Sequence, residues 1–282
     1  MIKYLLLTFF CFTCFLATAQ TPDAYAVSSF PFLPSSLRVK AIPDEAGETV
    51  PFRKNNVKIN LSSLVLDNYS FFYERSLSRK ISFVAGYRFM PASTVGELPG
   101  VQKLSERYLE DEEDIRDDLN NLSTSNNTFT GEFRFYGGKK PGARGLYLSL
   151  YGRYTDMQID YSYDYETNNN AYLIPLKSDL KGFGGGLMIG SQWLIAKRVV
   201  LDWYILGGHY GKLTGNADAA VDLSSMTAAE KAELQQDLES LLEVQDISYI
   251  SEVSVTDEGV KAKVDGPFLG IRGAGINLGI AF

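Results

Sequence analysis

The sequence predicts a closed antiparallel transmembrane β-barrel of about eight strands, or ten if a late hairpin joins the wall, with helical insertions in two long extracellular loops. Three observations predict it. In the final stretch, Pro267–Phe282, residues Phe282, Ile280, Leu278, Ile276 and Ala274 share one face, and Ala281, Gly279, Asn277, Gly275 and Gly273 the other. Seven earlier stretches repeat this period of two, the spacing of a strand with two unlike faces. Their connections alternate between short and long, as they do in membrane barrels. A soluble sandwich has no reason to sort its loops that way.

Composition sets the outer bounds. With 282 residues, 45% of them hydrophobic and 13% aromatic, the chain can form one large β domain. A mean hydropathy of -0.09 is what strands alternating lipid-facing and lumen-facing residues average to. The net charge of -7 excludes a general nucleic-acid binder, which needs a basic face. Residues 1–19, with Lys3 ahead of the apolar run Tyr4–Leu16 and the ending Ala17-Thr18-Ala19, read as a secretory signal peptide cleaved after Ala19. Both cysteines, Cys11 and Cys14, fall inside it. Residues 20–54, with Pro22, Pro31, Pro34, Pro43 and Pro51, read as a periplasmic extension without regular period.

Residues 55–282 are the expected barrel. Strand one is predicted over Val57–Leu66, with Val57, Ile59, Leu61, Ser63 and Val65 facing out. After Asp67-Asn68, strand two sets Tyr69, Phe71 and Tyr73 against Ser70, Phe72 and Glu74. Ser78-Arg79 turns the chain into strand three, where Ile81, Phe83, Ala85, Tyr87 and Phe89 oppose Ser82, Val84, Gly86 and Arg88. The residues Asn55, Lys58, Asn60 and Leu61, followed by the hairpin Tyr73-Glu74-Arg75 and Leu77, resemble a family of small Gram-negative outer-membrane barrels that has no assigned activity. Their architecture is similar to the outer membrane protein A and W type barrels. That resemblance implies a fold and a location, and no chemistry. The closing strand likewise resembles those whose terminal aromatic, here Phe282, is read by the barrel-assembly machinery.

Residues 91–127 form the first long loop, with a helix expected over Ser105–Leu122. Its carboxylates lack the alternating ligands and glycine of a calcium loop, so they read as a solvated acidic face. Strand four (Thr128–Tyr136) alternates Phe129, Gly131, Phe133 and Phe135 with Thr130, Glu132, Arg134 and Tyr136. A basic turn, Gly137–Gly145, leads to strand five from Leu146 to the tyrosine-rich Met157–Tyr165, whose rings suit a membrane–water boundary. Beyond the tip Thr167–Asn170, strand six sets Phe183, Gly185, Leu187, Ile189 and Trp193 against Gly184, Gly186, Met188, Gly190 and Gln192. Ala196-Lys197-Arg198 turns into strand seven, with Val199, Leu201, Trp203 and Ile205 outward and Asp202, Tyr204, Leu206, Gly208 and Tyr210 inward. Residues 215–266 form the second long loop, with a helix opened by the capping box Thr227-x-x-Glu230 and a hairpin of Ile247–Val255 with Val260–Val264.

The inward face carries the candidate site. Lys58, Glu74, Arg88, Glu132, Arg134, Arg153 and Asp202 all fall there, with both signs present. An eight-stranded barrel is just wide enough for side chains to fill, so these ions are expected to pair as a plug. Inward Gly86, Gly184, Gly186, Gly190, Gly273, Gly275 and Gly279 leave room for Arg and Tyr. Arg75 and Arg272 fall on the lipid face, where they are expected to snorkel. His209, the one histidine, is expected on the lipid face near the outward end of strand seven. Some outer-membrane enzymes that hydrolyse lipid A place a His-x-Ser pair there, but here the sequence continues Tyr210-Gly211, without the nucleophile. No Cys/His metal constellation or phosphate loop is present, so no catalytic residue, cofactor or metal is expected.

The expected role is structural or surface-interacting, with outer-membrane lipid and lipopolysaccharide as surroundings and the acidic loops facing an extracellular partner. The alternatives are a small-solute or hydrophobic-ligand channel, a lipid-modifying enzyme and a secreted soluble β-protein.

Overall fold

The computed structural model describes residues 53–282, apart from 110–111, 139–140, 168–169, 196, 242 and 245–246. The expected leader and all but the last two residues of the extension lie outside these. So do Lys139 and Lys140 of the basic turn, the middle of the 167–170 tip, and Ala196.

The fold is all-β and antiparallel. Strands β1 (Asn55–Asn60), β2 (Tyr69–Ser76) and β3 (Ile81–Thr94) lead to helices α1 (Pro99–Tyr108) and α2 (Glu113–Asn120). Next come β4 (Leu122–Tyr136), β5 (Gly145–Glu166), β6 (Ala171–Ile195), β7 (Val199–Ala220) and helix α3 (Ala228–Leu241). The two-residue strands β8 (Glu243–Val244) and β9 (Ile247–Ser248) precede β10 (Ile250–Thr256), β11 (Gly259–Pro267), β12 (Gly270–Arg272) and β13 (Gly275–Ala281). Strands β1 to β7 pair in chain order, and β13 lies between β7 and β1, so eight strands make a ring. The first and last strands of the ring meet at its rim, where the Phe282 N–H donates to Asn55 O at 2.8 Å and the Asn55 N–H returns to Phe282 O at 3.2 Å.

The alternation expected for β2, β4 and β6 is the one observed. Phe133, Leu148, Leu187, Trp203 and Leu278 are 45, 47, 56, 40 and 41% exposed and converge on no common centre. They belong to an apolar outer face present on every strand of the ring. The inner face is buried and largely polar.

Strands β5, β6 and β7 run on beyond the ring. There they form an extension with β11 and β10, since β11 pairs with the last residues of β7, from Lys212 to Ala220. Of the expected hairpin, Ile250–Val264 joins this extension while Ile247-Ser248 pairs separately with Glu243-Val244, and the ring itself holds eight strands. Helix α3 covers the extension's inner face, packing Leu234 and Leu238 against Ile174, Ala217, Val253 and Val260. Its start is the expected capping box: Thr227 Oγ1 accepts the Glu230 N–H at 3.2 Å, and Glu230 Oε2 accepts the Thr227 N–H at 2.7 Å. A second small core joins Met90, Val95, Leu98, Val101 and Leu122 around α1 and α2. Both helical insertions are thus packed against the sheet.

Several expectations are corrected. Strand one stops at Asn60, because Ser62–Leu66 forms a 3-10 turn. Asn60 Oδ1 accepts the Ser63 N–H at 3.0 Å, and the Ser63 hydroxyl donates to Asn60 O at 3.2 Å. Such local side-chain bonds draw a backbone away from a ladder. The single helix expected over Ser105–Leu122 is two helices, and Leu122 already opens β4. The first loop is shorter than 91–127, because β3 and β4 stay paired up to Thr94 and Ser123. Likewise β5 and β6 stay paired up to Glu166 and Ala171, so the connection at 167–170 is a tight tip. Pro175 is tolerated inside β6 because pairing with β7 begins only at Lys177, which leaves an open edge beside its missing N–H.

One break in register and one interrupted strand reverse the expected faces. Ile189 pairs with Leu206 but Gly190 pairs with Tyr204, so Ile205 is one extra residue in β7. Beyond it every side chain changes sides: Leu206 and Tyr210 face out, and His209, expected outside, is 7% exposed within the ring. The gap at Gly273-Ala274, between β12 and β13, lies opposite Ile205 and does the same to the closing strand without shifting its register against β7. Arg272, expected on the outer face, is 8% exposed and points inward, whereas Arg75 is outward as expected.

Glycines set how close the wall can come to its filling. A methyl group at Gly190 would overlap the Tyr147 hydroxyl and the Trp203 carbonyl. Gly190→Ala is expected to destabilise the ring by about 1–3 kcal/mol, the usual penalty of overpacking. Guanidinium unfolding read by tryptophan fluorescence checks this, and an unchanged midpoint would contradict the fit.

Candidate functional site

Five of the seven predicted site residues meet in one buried cluster. Lys58 Nζ on β1 lies 2.8 Å from Glu74 Oε2 on β2 and 2.6 Å from Asp202 Oδ2 on β7. It also donates to Gln192 Oε1 at 2.8 Å. Arg134 on β4 reaches Asp202 Oδ2 and Glu132 Oε2, each at 2.8 Å. Arg272 completes the set by contacting Glu132 Oε1 at 2.8 Å. Three cations thus face three carboxylates, and Glu74, Glu132 and Asp202 are all 0% exposed.

Neutral donors occupy remaining acceptor positions. Tyr136 gives its hydroxyl proton to Glu74 Oε1 at 2.6 Å, Tyr147 to Asp202 Oδ1 at 2.8 Å, and Ser82 also bonds Glu74. The Asn277 amide donates to Asp202 Oδ2 at 3.2 Å. The guanidinium of Arg134 lies over the Tyr147 ring at 4.4 Å, and that of Arg272 over Tyr204 at 4.7 Å. Charges with this many partners offset their own desolvation, and side chains fill the ring at this level.

The other two predicted residues, Arg88 and Arg153, stand apart. They line a cavity of about 100 Å³ together with Arg272, Asn60, Asn68 and Ser70. Arg88 donates to Thr128 Oγ1 at 3.3 Å. Beside this level His209 faces the Tyr151 hydroxyl at 3.3 Å and packs on Phe268, ring centres 4.7 Å apart. Gly270 makes space for it, since a methyl group there would strike the imidazole. The terminal Phe282 side chain is exposed on the outer face.

Sequence reading missed Arg272 and mis-sided His209, because neither the extra residue Ile205 nor the gap at Gly273-Ala274 leaves a mark on a period of two. It had Tyr136, Gln192 and Asn277 on the correct face without assigning them to the cluster. Among the described residues, no group of three or more His, Cys, Asp or Glu side chains is arranged to hold a metal. No described helix is long and apolar enough to cross a membrane. Compared with protein-family models, curated proteins and solved structures, the chain matches none.

Proposed function

We propose that this chain is an integral outer-membrane β-barrel with a side-chain-filled interior, working as a structural or surface-interaction protein through its acidic loop end. One observation carries the reading: on β4, β5 and β6 the polarity of the wall inverts across a single row of residues. Tyr87, Phe129, Tyr154 and Phe183 are neighbours on β3 to β6 and form an outward aromatic row. Immediately beyond it, Asn127, Asp156, Lys181 and Thr214 are again neighbours, on β4 to β7. On the aromatic side of that border, apolar residues face out and the ions face in. On the far side, Gln158, Asp160, Lys177, Asp179, Asn216 and Asp218 lie on the outward face, and Tyr165, Ile174, Leu213 and Ala217 are buried.

A water-soluble ring would have no cause to change its polarity part-way up. Hydrocarbon around the lower part and water around the upper part account for it, and aromatic rings belong at such a boundary. The leader-like residues 1–19 and the resemblance of the Asn55–Leu77 hairpin support the same location, with the barrel-assembly machinery as the partner during insertion. The buried ion cluster favours a plugged interior over a channel. The inward turn of His209 removes the outward imidazole on which a lipid-modifying site would rest. The helices α2 and α3, rich in Asp and Glu, then form the external working surface.

The chain's two tryptophans, Trp193 and Trp203, test the proposal directly. They stack on the outer face of the ring with centres 6.5 Å apart, below the polarity border. In vesicles of phosphatidylcholine brominated on its acyl chains, their fluorescence is expected to fall by more than half, with little quenching by aqueous iodide. Strong iodide quenching with no effect of bromine would refute the membrane reading.

A further inference from the structure

The ring is hydrogen-bonded all the way round at the level of β13, but not at the level of β12. Strand β12 pairs with β7 through Gly270, Ile271 and Arg272, and its other edge pairs with no strand among the described residues. On the facing side β1 has ended at Asn60, and the 3-10 turn Ser62–Leu66 occupies the position a continuing strand would take. The last links across the seam are Leu61 N–H to Ile276 O at 2.9 Å and Ile276 N–H to Ser62 Oγ at 2.9 Å. Above them the wall has a lateral break.

The cavity lies at this break and is lined from both sides, by Asn60, Ser62 and Ser63 on one and Ile271, Arg272 and Gly273 on the other. Its inner end is guanidinium-rich, with Arg88 and Arg153 joining Arg272. Its outer lips are apolar: Leu61, Leu64, Val65, Leu269 and Ile271 are all exposed. An unpaired strand edge at hydrocarbon depth is tolerated only where it lines a polar cavity or is covered. Guanidinium groups select carboxylate or phosphate oxygens.

We propose that the seam between Ser62–Leu66 and Gly270–Arg272 binds one single-chain anionic amphiphile, its head among Arg88, Arg153 and Arg272 and its tail along the apolar lips. The volume admits a carboxylate or phosphate head but not a whole lipid, so the chain must lie outside, in the bilayer. This assignment rests on the membrane-spanning reading.

Native mass spectrometry of the full chain in a nonionic detergent, offered oleate, oleoyl lysophosphatidate, oleyl alcohol or inorganic phosphate, tests it. One molecule of oleate or lysophosphatidate is expected to be retained, and the tighter of the two identifies the head group. Oleyl alcohol and inorganic phosphate are expected to bind at least tenfold more weakly. The double variant Arg88→Gln with Arg153→Gln is expected to lose at least tenfold in retention. Asn68→Asp, which adds a carboxylate to the cavity lining, is expected to lose as much while keeping both arginines. Equal retention of the alcohol, equal retention of phosphate, or variants that bind like the parent would each overturn the site. Heat-modifiable migration on SDS gels is read in parallel. Failure to bind by protein that keeps this shift sinks the amphiphile site alone, whereas loss of the shift in the parent chain sinks the membrane reading with it.

Discussion

Asp202→Ala is expected to be the most damaging single change in the molecule, costing about 3–5 kcal/mol, the usual range for removing one partner from a buried ion pair. The carboxylate accepts from Lys58, Arg134, Tyr147 and Asn277. Deleting it leaves three cations, Lys58, Arg134 and Arg272, in a dry interior with only Glu74 and Glu132 to balance them. Asp202→Asn keeps the volume and some of the hydrogen bonds but loses the charge, so it should fall between the parent and the alanine variant. Guanidinium unfolding of protein reconstituted in vesicles measures both. A loss under about 1 kcal/mol for the alanine variant, no more than an exposed surface pair gives, would mean that the cluster is solvated and the ring is not filled.

Leu187→Arg should produce the second large effect, and its size separates the two possible surroundings of the ring. Leu187 is 56% exposed on the outer face, between Leu150 on β5 and Gly208 on β7. In water an arginine there would change stability by no more than about 0.5 kcal/mol, as surface substitutions do. In hydrocarbon near the midplane it would cost about 2–4 kcal/mol. The same substitution at Asp179, beyond the polarity border, provides the internal control and should be nearly neutral. Equal and small effects at both positions would end the membrane proposal.

How legible these features were in the sequence depended on the distance over which each is encoded. The faces of β2, β4 and β6 could be read residue by residue, because alternation is local and Phe133 and Arg134 announce their sides independently. The five-residue core of the ion cluster followed from the same parity. Strand irregularities were not legible. The extra Ile205 resembles any other strand residue, yet it moves His209 from one environment to the other. The Gly273-Ala274 gap does the same for Arg272 and so hid the third cation of the cluster. The turn at Ser62–Leu66 was misread because Leu61, Ser63 and Val65 happen to keep the alternation while Asn60 fixes the backbone through its side chain. The lengths of β6 and β7 were also missed, since above the border their polar face and apolar face exchange roles. A pattern read as loop was a strand in a different solvent.

The buried cluster is also divided along the chain in a way that bears on assembly. Lys58 and Glu74 belong to the first hairpin, Glu132 and Arg134 to one strand, and Asp202 and Arg272 to the last segment of the polypeptide. Each pair is electroneutral at this depth, the third once Arg272 on β12 has joined Asp202 on β7. The first hairpin and β4 each bring their own counter-charge, and closure redistributes partners without adding net charge to the interior.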